Sequence, residues 1–157
     1  MSTNAANMAG LVAGQEFFAG IPDRVAATIG EFTSERKAGL GELLFRQGDP
    51  ANRFFLVKSG LVAVELYAPG RDPIVVEQVY EGDVVGWSWL VAPYRWSFDA
   101  RVVEPSSLIG IDGHALRERF AADPALGYEV MKRFVPVMAR RLASARERLV
   151  EYVTEPS

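Results

Sequence analysis

Apolar positions along this chain change their period twice. From Phe17 to Phe32 the set Phe17, Phe18, Ile21, Val25, Ile29 and Phe32 recurs every three or four residues. That spacing predicts a short helix pair, with Pro22 where a helix can begin. From Arg36 to Ile111 the texture becomes short β-branched and aromatic runs: Leu43–Arg46, Phe54–Lys58, Leu61–Tyr67, Ile74–Tyr80, Asp99–Glu104 and Ser107–Ile111. Gly48-Asp49-Pro50, Ser59-Gly60, Pro69-Gly70-Arg71-Asp72-Pro73 and Glu81-Gly82-Asp83 lie between them and carry the residue types that turns need. Antiparallel hairpins follow, and a small β-barrel. After Asp112 the period returns to 3.6, first through Leu116 and Phe120, then from Pro124 to about Val153 in one long helix capped by Asp123. The fold class predicted is mainly β with flanking α: N-terminal helices, a barrel over about 36–111, and C-terminal helices over 113–153. Residues 1–13 are small and polar with little periodicity and are expected to be mobile. One domain is expected over 14–157.

The long helix carries two apolar stripes. Met131, Val135, Met138, Leu142, Ala145, Leu149 and Tyr152 fall at alternating intervals of four and three, a heptad seam. Leu126, Val130, Phe134 and Val137 lie on a neighbouring face, the natural contact for the chain's own barrel. A helix of roughly 45 Å at 1.5 Å per residue outreaches one small barrel, so the seam is read as a homodimer surface. The alternative is that it covers more of the same domain. Pro136 removes one hydrogen bond inside this helix and is expected to kink it, dividing a barrel-facing half from a pairing half. Arg140, Arg141, Arg146, Glu147, Arg148 and Glu151 are read as a solvated, partly interhelical charge face.

Composition narrows the chemistry. The 157 residues are 49% hydrophobic and 24% charged, as expected of one globular domain. Cysteine is absent, which excludes disulfides, thiolate nucleophiles and Cys-ligated metals, and leaves intracellular, cytoplasmic placement as the default. Arg24 is the first basic residue, so the start lacks the positive region of an export signal. The uncharged run Val84–Tyr94 is too short to span a bilayer. A formal charge of −3 offers no field for a phosphate backbone. The single histidine, His114, cannot build a histidine metal cluster, and no activated serine accompanies it. It follows Asp112-Gly113 at an expected helix start and is read as a surface residue. No metal, no cofactor and no enzymatic activity are expected.

Three segments carry a family resemblance: Ala38-Gly39 through Leu44-Phe45-Arg46-Gln47-Gly48-Asp49-Pro50, then Phe54-Phe55-Leu56-Val57-Lys58-Ser59-Gly60, then Glu81-Gly82-Asp83. With the order helix pair, barrel, short helix, long helix, they make the chain from Phe17 to Val153 resemble the cyclic-nucleotide-binding domain of the catabolite-activator and Fnr-like regulators. The resemblance implies a jelly-roll barrel, or double-stranded β-helix, and a dimer through the helix containing Met138-Ala139-Arg140-Arg141-Leu142. It also implies a phosphate-binding cassette over Gly86–Ala100, with Gly86, Trp87, Ser88, Trp89, Leu90, Arg95, Trp96 and Ser97 as ligand-binding candidates. A ligand there would bias the packing of the loop against the long helix.

The same stretch departs from the family's pattern. The Gly-Glu pair whose carboxylate holds the ribose is Gly86-Trp87 here. The cassette arginine, Arg95, stands five residues before Ala100 where six is common. The helix hydroxyls that meet the purine are replaced by Ala145 and Arg146. Losing such pairings weakens recognition by several kcal/mol, so ordinary cyclic AMP is not the expected ligand. Trp87, Trp89, Tyr94 and Trp96 crowd around one arginine, which suits a small anionic aromatic ligand; equally, the tryptophans can have filled the hollow. In that second case the chain is a dimerisation or protein-interaction scaffold. Asp99 is placed to pair with Arg95 or Arg101. The chain ends four residues past Val153, which leaves no room for a helix-turn-helix, and its last 35 residues carry only +1. No DNA contact is expected.

Overall fold

The computed structural model describes residues 2–154, with side chains from residue 4 onward. Helix α1 (Ser2–Ala13) and helix α2 (Asp23–Gly30) open the chain, joined by a 3-10 turn at Glu16–Phe18. Residues 2–13, for which mobility is expected, take the form of helix α1; Met1 lies outside the described residues. Val12 of α1 is fully buried, and Gly30 of α2 lets the two helices meet, since a Cβ there would stand 2.8 Å from the Ala9 backbone nitrogen. A small-residue helix needs few apolar positions when its partner offers a glycine, which is why periodicity was weak. The apolar spacing around Phe17 belongs to the 3-10 turn, so the helix pair is α1 with α2.

Strands β1 (Thr33–Ala38), β2 (Leu43–Phe45), β3 (Arg53–Leu66), β4 (Ile74–Val79), β5 (Val84–Val85) and β6 (Asp99–Asp112) form a six-stranded antiparallel sheet among the described residues. Its spine is the β3/β6 ribbon, paired from Arg53↔Asp112 to Glu65↔Asp99. Two sequence runs merge into β3 and two into β6, because the ribbon passes its irregularity without breaking. Around that irregularity Gly60 adopts φ +103° directly against Ser106, whose hydroxyl accepts the Leu61 N–H and donates to the Glu104 carbonyl. The half of the ribbon beyond this point is flanked by β4 and β2, the other half by β5 and β1. The result is the jelly-roll-like arrangement expected.

Alternation in β3 supplies two cores. Phe55 and Val57 join Val62, Val79, Val85, Ala100, Val102 and Leu108 inside the sheet's fold, while Phe54 and Leu56 turn outward to the helices. Helix α3 (Gly113–Arg119) starts where the Asp112 carboxylate accepts the Ala115 N–H. Helix α4 (Pro124–Thr154) runs continuously through Pro136. Its buried residues are Leu126, Val130, Phe134 and Val137, the stripe assigned to the domain itself. Phe134 packs edge-on to Phe17, Phe54 and Trp89 at centroid distances of 5.0, 5.2 and 5.5 Å.

Candidate functional site: a cavity under the long helix

A cavity of about 570 Å³ opens between the mouth of the sheet, the loop after β5 and helix α4. Phe45, Val64, Val76 and Glu77 of β2, β3 and β4 form its floor. Gly86, Trp87, Ser88, Trp96, Ser97 and Phe98 form one wall, and Met138, Arg141, Leu142, Ser144, Ala145 and Arg148 of α4 form the roof. The lining is predominantly apolar and the volume suits a small organic molecule.

The tryptophan-rich segment folds back over this hollow and meets the terminal helix, but its members divide. Gly86, Trp87, Ser88, Trp96 and Ser97 line the cavity. Trp89 does not. It is fully buried in the helical core, stacked on Phe54 at 4.7 Å and lying against Gly113, where a Cβ would come within 2.7 Å of the indole. Leu90 ends a 3-10 turn (Ser88–Leu90), packs on the same core and does not line the cavity either. Trp96 is 6% exposed and stacks on Phe45 with centroids 3.6 Å apart and planes 8° from parallel. Gly86 at φ +95° makes room for it, since a Cβ there would meet the Trp96 ring at 2.7 Å. Filling and opening are therefore both realised: Trp89 and Trp96 take up interior space, and Trp87 walls what remains.

Arg95 stands apart from the other candidates of the loop. Its Nη1 donates to the Gly48 carbonyl at 2.8 Å, and its backbone bridges Pro50, so it lies outside the cavity lining. Asp99 pairs with neither arginine: it accepts the Gln47 N–H at 2.7 Å, while Arg101 bonds Glu65 at 3.1 Å and the Gly41 carbonyl. Arg117 of α3 holds the loop instead, donating to the Trp89 carbonyl and stacking 3.9 Å from the Tyr94 ring centroid. Tyr94 sits at φ 60°, a left-handed conformation that this stack and the Ala51 N–H bond to its carbonyl hold in place. His114 is half-exposed beside Glu118 at 2.8 Å, as a surface histidine should be.

The cationic groups of the cavity come from α4. Arg141 Nε lies 2.7 Å from Glu77 Oε2 with its side chain only 11% exposed, and its Nη2 donates to the Val84 carbonyl. Arg148 Nη1 donates to the Val75 carbonyl at 2.7 Å, and Arg140 binds Asp83 at 2.9 Å just outside. These three arginines strap the helix to the β4–β5 edge. They were read as a solvated charge face, and for Arg141 that is corrected. The signal was present: Met138, Arg141, Leu142, Ala145 and Arg148 follow i, i+3, i+4, i+7, i+10 and share one face. Ser144 adds a hydroxyl one residue before the position where the resemblance looks for it. The expected seam divides likewise. Met138, Leu142 and Ala145 line the cavity, Leu142 and Ala145 at its exposed rim, and Met131, Val135, Leu149 and Tyr152 lie on the same stripe outside it.

Comparison with known proteins agrees with this architecture. The family model for the cyclic nucleotide-binding domain matches residues 35–123. The acetyltransferase Pat of Mycolicibacterium smegmatis is 33% identical over 153 residues, covering 96% of this chain and 40% of its own length. The chain thus spans two-fifths of that relative. Among solved structures, a putative cyclic nucleotide-binding protein from Geobacter metallireducens superposes with a TM-score of 0.76 at 26% identity, covering 85% of this chain and 96% of the other. A cAMP-binding acyltransferase from Mycobacterium smegmatis superposes with a TM-score of 0.70 at 26% identity, covering 90% of this chain and 43% of the other.

Proposed function

This chain belongs to the cyclic nucleotide-binding domain family, and we propose that it is a non-enzymatic regulatory domain whose cavity takes a small anionic ligand other than ordinary cyclic AMP. One observation carries the reading: the cavity is open and roofed by α4, while Arg95, the expected phosphate-neutralising residue, is turned to the Gly48 carbonyl. With Trp87 in place of the ribose-binding carboxylate, cyclic AMP would bury polar groups without partners at several kcal/mol. Occupancy would act on α4 directly, because the helix contributes Met138, Leu142 and Ala145 to the lining. Met131, Val135, Leu149 and Tyr152, which continue the same stripe of α4 to either side of the cavity, then serve as the surface for a second copy, as a heptad seam does. The domain works in the cytoplasm in this account, and neither metal nor cofactor takes part.

Melting temperature against a panel of small anions tests it. The panel includes cyclic AMP, cyclic GMP, cyclic dinucleotides and aromatic carboxylates, applied to the chain and to Ala145→Trp, which plugs the cavity roof. A ligand at about 100 times its Kd adds roughly 2.7 kcal/mol of stability. Stabilisation by an aromatic anion that Ala145→Trp abolishes supports the reading. No stabilisation by any member leaves the scaffold, for which the burial of Trp89 and Trp96 speaks.

A further inference from the structure

An anionic ligand needs a cation to meet it, and in this cavity the best-buried one already has a partner. Arg141 carries five donors; Nε faces Glu77 as an ion pair without a hydrogen bond and Nη2 donates to the Val84 carbonyl, which leaves Nε and Nη1 without a hydrogen bond to the described residues. Glu77 sits at the rim with its side chain 24% exposed, so it can turn to water at small cost, whereas Arg141 at 11% cannot follow it. On the loop, the Arg95 guanidinium is turned to the Gly48 carbonyl, and the N–H groups of Leu90 and Val91 donate to the carbonyls of Trp87 and Ser88. One planar guanidinium beside apolar and aromatic walls suits a carboxylate or similar monoanion on an aromatic body.

We infer that the effector of this cavity is a largely apolar, aromatic monoanion whose charged group is received by Arg141 of α4, with Glu77 as the resident counter-ion that it displaces. This rests on the reading of the cavity as the effector site. The specificity-determining cation is thereby placed on helix α4 and not on the loop. Displacing Glu77 breaks an ion pair between α4 and β4, so the ligand's charge and the helix's attachment become one equilibrium.

A matched pair of dyes tests it: 8-anilinonaphthalene-1-sulfonate, an aromatic monoanion, and N-phenyl-1-naphthylamine, the same body without the charge. Both should bind the wild-type chain with a fluorescence gain that Ala145→Trp removes. Glu77→Gln frees Arg141 and should tighten the sulfonate about tenfold, the effect of about one charge-assisted hydrogen bond, while leaving the neutral dye unchanged. Glu77→Gln with Arg141→Gln should lose that gain and the preference for the anion, with melting curves confirming that both variants fold. An unchanged sulfonate affinity in Glu77→Gln, or a preference for the anion that survives in the double variant, overturns the assignment to Arg141 and leaves the cavity reading standing. Failure of both dyes to bind the wild-type chain, or binding that Ala145→Trp does not touch, overturns the cavity reading itself and this assignment with it.

Discussion

Replacing Trp96 by alanine removes a ring that divides two hollows. Its indole is 6% exposed and lies flat on Phe45. Both rings wall the 570 Å³ cavity on one side and, on the other, a cleft of about 310 Å³ bordered by Arg36, Asp49 and Arg53. The backbone role of residue 96 survives the change, since its N–H donates to the Asp49 carbonyl and its carbonyl accepts from Gly48 whatever the side chain. The loss is therefore transfer plus cavity energy for a large aromatic, about 3–5 kcal/mol. About 0.5–1.5 kcal/mol of it belongs to the stack with Phe45. For a chain of this size each kcal/mol moves the melting temperature by about 2–4 °C, so a fall of roughly 6–20 °C is expected. Urea denaturation of wild type, Trp96→Ala, Phe45→Ala and the double variant gives the coupling directly. A Trp96→Ala loss under about 1 kcal/mol, or strict additivity of the two changes, would refute the view that this pair is a fixed wall.

Three further outcomes follow from the geometry. Gly60→Ala should destabilise by at least about 1–3 kcal/mol, because φ +103° is strained for alanine and its Cβ would stand 2.7 Å from the Ser106 Cα; a melting temperature equal to wild type contradicts this. Leu149→Glu, at an exposed seam position outside the cavity, should leave the melting of the fold nearly unchanged while halving the sedimenting mass; an unchanged mass removes the dimer proposal. The Asp123 carboxyl is held below the usual carboxylate range by the Arg24 guanidinium and by the Leu126 N–H that it caps. A lowered carboxyl stabilises fully above its unfolded pKa and loses that stabilisation as pH falls through the folded value. Arg24→Gln raises the folded value, so the acid-unfolding midpoint followed by circular dichroism should move to higher pH. An identical midpoint shows that the pair contributes nothing measurable.

How much of this was legible in the chain depends on what each signal reports. The four-residue stripe Leu126, Val130, Phe134, Val137 named the buried face of α4 because burial along a helix is a periodic requirement. Turn residues placed the strand boundaries, yet they split β3 and β6, since Ser59-Gly60 reads as a turn locally and becomes a kink in a continuous ribbon only when Ser106 packs against it. Helix α1 escaped because its stability comes from contact with α2 and not from its own pattern. At the site, the family resemblance marks the loop and makes Trp89 and Arg95 candidates, while the structure places both away from the cavity lining. Direction in an irregular loop is fixed by tertiary contacts such as Arg117 to the Trp89 carbonyl. Arg141 was misjudged because charge on a long helix usually faces water, and only the fold places Glu77 opposite it.

Calorimetric titration of cyclic AMP into the wild-type chain tests the central claim most directly, namely that the cationic face of the cavity has passed from the loop to α4. The account predicts no saturable heat up to about 1 mM nucleotide, a concentration matching only about −4 kcal/mol of binding. Saturable binding in the micromolar range that Arg95→Ala abolishes would contradict it.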